Sequence, residues 1–187
     1  MRTALRPLGL VAVVLAIAAC PPPSSEPQPL VTGPGELLGP PVSAILGPDG
    51  GRLASADGRL SLVVPPGALA AAATLSITPT QNLAPGGLGQ GYELSSGGAG
   101  FGLPLTLTFT PAEEDRAAAD LGLMSLAWQD DGGVWRWVED AGVDLDAGTL
   151  TLSTTHFTRF GPAVSSWSCG PPTCASPPTR PRPSSTR

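Results

Sequence analysis

Apolar and hydroxyl-bearing side chains that alternate at every second residue restrict the fold of this chain more than any other feature. In the stretch "LPLTLTFTP", Leu103, Leu105, Leu107 and Phe109 alternate with threonines. Successive side chains of a β-strand point to opposite faces of a sheet, so a period of two is typical of a half-buried strand. The stretch therefore predicts a strand that turns these four apolar side chains inward.

Similar stretches recur along the middle of the chain. Leu60, Leu62 and Val64 alternate in "RLSLVVPPG", where two prolines must end the strand because they cannot donate to a ladder. Asp57-Gly58 and the run Asp130–Gly133 are typical of hairpin turns. Further strands are predicted in "TLSITPT", "LMSLAWQ", "VWRWVE" and "GTLTLSTTHFTRFGP". Short strands with frequent turns favour an all-β fold, an antiparallel sandwich or barrel.

Acidic residues cluster at two further places. "PAEEDRAAADLG" predicts one short helix, with Glu113, Glu114 and Asp115 solvated at its first turn, near the positive end of the helix dipole. "DLDAG", from Asp144 to Gly148, resembles a calcium loop, but calcium takes about six to eight oxygen ligands. An acidic turn is the prediction there, and no metal site or cofactor is predicted.

The N-terminus carries the most specific motif. Arg2 and Arg6 precede an apolar run of about a dozen residues, a length typical of a signal peptide. The run ends in Ile17-Ala18-Ala19-Cys20, which resembles the bacterial lipobox. The resemblance implies cleavage before Cys20 and acylation of Cys20, a membrane anchor to which each buried CH₂ adds about 0.8 kcal/mol. Because Pro21, and not Asp, follows the cysteine, the outer membrane is favoured over the inner membrane as the location.

Composition divides the chain into four segments. Residues 1–19 are predicted to be the lipoprotein signal peptide, and the Pro/Gly/Ser-rich residues 20–41 a flexible tether. Residues 42–165 form the predicted β domain, and the Pro/Arg-rich residues 166–187 a disordered tail. A hydrophobic content of 41% is enough for a core.

Two stretches of the β domain resemble the ZU-five family, which includes domains of ankyrins, netrin receptors and zonula occludens proteins. They are "GGRLASADGRLSLVVPPGAL" and "YELSSGGAGFGLPLTLTFTP", and the resemblance covers Gly50 to Gly161. It implies a β-sandwich that serves as an interaction or structural module and not as an enzyme. We therefore expect a membrane-anchored envelope lipoprotein whose partner is an envelope protein or a polysaccharide. Nucleic acid is excluded, since acids outnumber arginines between Pro48 and Pro162.

The same resemblance carries one alternative, self-cleavage in "THFTRF". Some relatives cleave themselves before a hydroxyl residue, which here implies the Phe157–Thr158 bond. The Thr158 hydroxyl would attack the Phe157 carbonyl in an N-to-O acyl shift, and His156 would accept the proton. The other interpretation is that these are ordinary residues of a closing strand, with Phe157 and Phe160 packed in the core.

A second alternative rests on the tryptophans. Trp135 and Trp137 alternate on one strand, with Trp128 across the turn, and a row of exposed indoles could form a carbohydrate-binding face. Packing within the sandwich is the favoured interpretation. The remaining cysteines, Cys169 and Cys174 in "SCGPPTC", are candidates for a local disulfide outside the cytoplasm.

Overall fold

The structure is a computed structural model that describes residues 30–164. The lipidation site at Cys20 and the Cys169–Cys174 pair lie outside the described residues. So do the predicted signal peptide, residues 1–19, and the predicted tail, residues 166–187.

Two antiparallel sheets make up the described part of the chain. Sheet one has six strands in the order β1 (Val42–Leu46), β4 (Ala73–Gln81), β5 (Gln90–Ser95), β11 (Arg159–Val164), β7 (Met124–Gln129) and β8 (Trp135–Trp137). Sheet two has five strands in the order β2 (Gly51–Ala54), β3 (Leu60–Val64), β6 (Leu105–Phe109), β10 (Thr149–Thr154) and β9 (Gly142–Asp144). The helix α1 (Glu113–Ala118) and a 3₁₀ turn at Leu121–Leu123 lie between β6 and β7. The predicted all-β antiparallel sandwich is confirmed.

The core lies between the sheets, and the alternation of apolar residues fills it from both sides. On sheet two, Leu62 of β3 pairs with Leu107 of β6, and both side chains are fully buried. On sheet one, Leu75 and Ile77 of β4 are fully buried as well. The largest other side chains of this core are Leu60, Tyr92, Leu105, Phe109, Leu126, Leu150 and Phe160. The inward faces predicted from the period of two are therefore confirmed for β3 and β6.

Leu103 departs from that pattern. Its side chain is 44% exposed, and β6 begins only at Leu105. Pro104 lies between them and has no N–H to donate to a neighbouring strand. The prediction of an inward side chain at Leu103 is wrong, because the alternation extends past the point where strand pairing ends.

Two glycines make the predicted hairpin turns possible. Gly58 in the β2–β3 turn has a φ of 71°, and Gly133 in the β7–β8 turn has a φ of 80°. A side chain disfavours this left-handed region, whereas glycine adopts it freely. Both predicted hairpins are confirmed.

The helix α1 forms where it was predicted, but one of its acids is not solvated. Glu113 and Glu114 are exposed, whereas Asp115 is buried and accepts a hydrogen bond of 3.2 Å from the backbone N–H of Ala112. The expectation for Asp115 is wrong, because its carboxylate caps a backbone donor at the helix start. No helix within residues 30–164 has the length and apolar character needed to cross a membrane.

Residues 30–38, called the strap below, bind to two separated strands of sheet one. Beside β8, the Trp135 N–H donates to the Leu30 carbonyl at 3.3 Å and the Thr32 N–H donates to Gly133. Beside β4, the Gln81 N–H donates to the carbonyl of Glu36 at 2.7 Å. The strap belongs to the stretch 20–41 predicted as a tether, so part of that stretch is bonded to the sandwich.

The side chain of Gln129 on β7 binds Thr32 of the strap. Gln129 is only 1% exposed, and its Nε2 donates to the carbonyl and the hydroxyl of Thr32 at 2.8 and 2.9 Å. The indole N–H of Trp135 donates to the same hydroxyl at 2.8 Å. A buried amide that finds partners on the strap indicates that the strap is part of the folded body.

Candidate functional site

The corner between β10 and β11 carries the residues that the sequence singled out for chemistry. Residues 155–158 connect β10 of sheet two to β11 of sheet one. His156 is exposed, while Phe157 and Thr158 are half-buried. The Phe157 ring packs against Phe101 with 4.7 Å between ring centroids. Phe160 is buried in the core, as expected. The prediction that His156, Phe157 and Thr158 belong to one closing strand is wrong, because these residues lie between two strands of different sheets.

His156 and Thr158 bond to different partners. The Thr158 hydroxyl donates to the Gln129 carbonyl, and Nδ1 of His156 lies 3.3 Å from the Thr154 hydroxyl. A general base must lie within hydrogen-bond reach of the proton that it accepts. No non-glycine residue in the part of the chain that the structure describes has a positive φ, so the Phe157–Thr158 corner is not held in the left-handed region. The three residues adjoin, but the described geometry does not assemble them into a nucleophile and base.

The three tryptophans do not share one face. Trp135 and Trp137 pair with Gln129 and Ala127 of β7, so both lie on the face of sheet one that points away from sheet two. Trp128 lies on the opposite face and packs against the core between the sheets. The expected row of three indoles on one face is therefore wrong, because neighbouring positions of β7 point to opposite faces. Trp128 and Trp137 nevertheless both line one cleft, which is described below.

Only one of the two outer indoles is accessible. Trp135 is 9% exposed and packs with Ala84, Ala127 and Ala163 under the strap. Trp137 is 38% exposed. The packing interpretation is confirmed for Trp135, whose N–H is also bonded to the strap.

A cleft of about 400 Å³ opens between the edge strand β8 and β10. Trp128 and His156 form part of its wall, with 4.9 Å between their ring centroids and the rings nearly edge to face. Leu152 and Phe160 are buried beneath it, and Thr154 adds a hydroxyl. We call this the acidic cleft because Glu139 and Asp140 line it. A volume of this size is within the range of small-ligand sites.

The charge of the chain is concentrated on the side of the sandwich that holds this cleft. Residues 130–146, which span the edge strands β8 and β9, contain six acidic residues and one arginine, a net charge of −5, whereas residues 30–164 as a whole contain 14 acidic residues and five arginines, a net charge of −9. The arginine, Arg136, is itself ion-paired to Asp130 at 2.9 Å. The backbone N–H of Val134 bonds to the Asp130 carboxylate and, with Arg136, holds its pKa below the ordinary range.

Glu139 and Asp140 were not predicted as site residues, since Glu139 was assigned to the end of a strand and Asp140 was given no role. The signal that points to them is the run of acids between two predicted strands. The acidic turn predicted at Asp144 is present: its carboxylate accepts backbone N–H bonds from Asp146 and Ala147 at 3.0 and 2.9 Å. Among the described residues, no group of three or more His, Cys, Asp or Glu side chains is placed to hold a metal ion.

A second polar cluster, which the sequence analysis also missed, joins the two sheets. The Tyr92 hydroxyl of β5 donates to the Asp57 carboxylate in the β2–β3 turn at 2.7 Å, and the Ser55 hydroxyl donates to the same carboxylate at 2.5 Å. Burial raises the pKa of Tyr92. Partial burial alone would raise the pKa of Asp57, but the bonds from Ser55 and Tyr92 outweigh it and lower that pKa. The cluster is a cross-sheet contact, and the cavity that adjoins it at Tyr92 is only about 10 Å³.

Comparison with known proteins adds no relative. No protein-family model matches the chain, and no curated protein matches it.

Proposed function

We propose that this chain is a lipid-anchored protein of the bacterial cell envelope and that its β-sandwich is a ZU-five-like interaction module without catalytic activity. The observation that carries the proposal is the position of the strap. Leu30, the first residue that the structure describes, is already bonded to the sandwich and lies ten residues after Cys20. The proposed anchor and the sandwich are thus joined by a short chain.

That short chain limits how far the sandwich extends from the membrane. A fully extended chain rises about 3.3–3.6 Å per residue, so ten residues span at most roughly 35 Å. The strap enters the sandwich beside β8, at Leu30. The side of the sandwich that carries β8 is therefore held within this distance of the lipid surface.

An uncleaved Phe157–Thr158 bond is supported by the hydrogen bonds of the corner at His156. In the described geometry the Thr158 hydroxyl is bonded to the Gln129 carbonyl, and the imidazole is bonded to Thr154. The proposal that the sandwich is ZU-five-like is supported by the two-sheet architecture and by the strand that ends before Pro65-Pro66. An outer-membrane location is part of the proposal and is supported by Pro21 after Cys20.

A denaturing mass spectrum of the protein purified from bacterial envelopes tests both parts. We expect one species that lacks residues 1–19 and carries the added mass of a lipid on Cys20, and a Cys20→Ser variant that lacks the lipid. Thr158→Ala is expected to change the mass only by the substitution. An unmodified Cys20 would refute the anchor, whereas two fragments that meet at Phe157–Thr158, abolished by Thr158→Ala, would refute the absence of catalysis.

A further inference from the structure

We infer that the acidic cleft binds a lysine or arginine side chain presented by a partner protein. The inference rests on the proposed function, since it names the chemistry of the partner that the interaction module would bind. The cleft, its charge and its aromatic wall each contribute to the argument.

Charge complementarity selects a basic partner. Glu139 and Asp140 line the cleft and are exposed, and no lysine or arginine lines it. The surrounding stretch, residues 130–146, has a net charge of −5. Opposite charges at an interface steer association and suppress wrong partners, so an acidic partner surface or a phosphate group is disfavoured here.

The floor and wall fit the two parts of a basic side chain. The buried Leu152 and Phe160 offer an apolar floor to the aliphatic stem of lysine or arginine. The Trp128 ring offers a π face to the cationic head, and such contacts strengthen as they are desolvated. The guanidinium carbon of Arg136 lies 6.0 Å from the centroid of the same ring, so a partner cation gains this contact only where it displaces Arg136.

The lack of a basic side chain in its lining distinguishes the acidic cleft from a second cleft of about 390 Å³ in the described residues, which Asp130, Asp131 and Arg159 line. The Asp144–Gly148 turn bonds its carboxylate to its own backbone, and Asp130 is ion-paired to Arg136. Glu139 and Asp140 instead stand beside a cleft of about 400 Å³ that can enclose a side chain. A partner side chain in the cleft would lose water on several sides, which makes its charge contacts stronger than at an open surface.

Fluorescence anisotropy of labelled peptides tests the inference on the full chain in detergent micelles. The probes are alanine-rich peptides that differ only at one central position, which is arginine, lysine or the neutral arginine analogue citrulline. We expect the arginine and lysine peptides to bind and the citrulline peptide to bind at least tenfold more weakly. Raising the ionic strength should weaken the binding of the basic peptides and leave the binding of the citrulline peptide unchanged.

Two matched double variants distinguish binding in the cleft from non-specific attraction to an acidic protein. The double variant Glu139→Gln, Asp140→Asn is expected to bind the arginine peptide at least tenfold more weakly. The control, Asp131→Asn with Asp146→Asn, removes the same charge from exposed turn positions that do not line the cleft and should change binding less than twofold. Because all four side chains are exposed, we expect unchanged thermal unfolding for both double variants.

Three results would overturn the inference. They are equal binding of the citrulline and arginine peptides, equal weakening by the two double variants, and binding of neutral cellotetraose at the cleft without binding of the basic peptides. None of these results bears on lipidation of Cys20 or on the intact Phe157–Thr158 bond. Failure of the inference can therefore be distinguished from failure of the proposed function.

Discussion

Replacing Thr32 by valine tests whether the strap is part of the folded body. The Thr32 hydroxyl accepts hydrogen bonds from two nearly buried donors, Nε2 of Gln129 at 2.9 Å and the indole N–H of Trp135 at 2.8 Å. Valine keeps the branched shape and removes the acceptor. Nε2 of Gln129 retains the Thr32 carbonyl at 2.8 Å, but the indole loses its partner.

The expected cost follows from that unpaired indole. A buried donor without a partner costs about 1–3 kcal/mol. The free energy of unfolding of the Thr32→Val variant should fall by that amount, and Tm should fall by roughly 4–12 °C for a domain of this size. Urea unfolding followed by tryptophan fluorescence measures the change, and an unchanged m-value would show that stability alone has been altered.

Two controls make the result specific to the strap. Thr32→Ser keeps the hydroxyl and should recover most of the loss. Thr108→Val makes the same chemical change on a half-buried residue of β6 and should cost less than about 0.5 kcal/mol. If Thr32→Val unfolds at the same urea concentration as the unmodified protein, the strap adds no stability and the folded body begins at β1.

Two further predictions concern other contacts of the sandwich. The pKa of Asp57 is lowered from its ordinary 3.8, so its bonds to Ser55 and Tyr92 stabilise the fold above that pH, and this contribution is lost as the pH falls through the lowered value. Asp57→Asn should therefore flatten the decline in the free energy of unfolding below about pH 4. An unchanged pH profile would contradict the role of the carboxylate. Gly161→Ala would place a Cβ 2.6 Å from Oδ1 of Asn82. We expect the free energy of unfolding, measured in urea, to fall by about 1–3 kcal/mol, and Asn82→Ala to relieve part of this loss in the double variant. An unchanged midpoint would refute this close contact.

The positions of the strands could be predicted because alternation and turns are local properties. The β3 strand alternates apolar and polar residues and ends at two prolines, and each of these signals lies within a few residues of the backbone that it directs. Gly58 and Gly133 permit their turns because a residue without a side chain adopts a positive φ, which is again a property of a single residue. Such signals do not depend on contacts with distant parts of the chain, so they can be recognised in the sequence.

The candidate site could be predicted only in part. His156 was singled out because it is the one histidine, and the structure does place it beside a cleft. Glu139 and Asp140 reach the same cleft from another connection, and Trp128 reaches it from a third. No spacing within the sequence joins these three segments, so the cleft could not be inferred from any motif.

The β class, the main turns and the alternation that fills the core therefore follow from local features of the sequence. Which sheet each strand joins, and with it which face each side chain occupies, depends on contacts between distant segments. Trp128 and Trp135 are separated by that choice, since each takes the face that its pairing partner imposes. The strap gives a second example. Thr32 and Gln129 are distant in sequence, and the hydrogen bond between them exists only once the strap lies against sheet one.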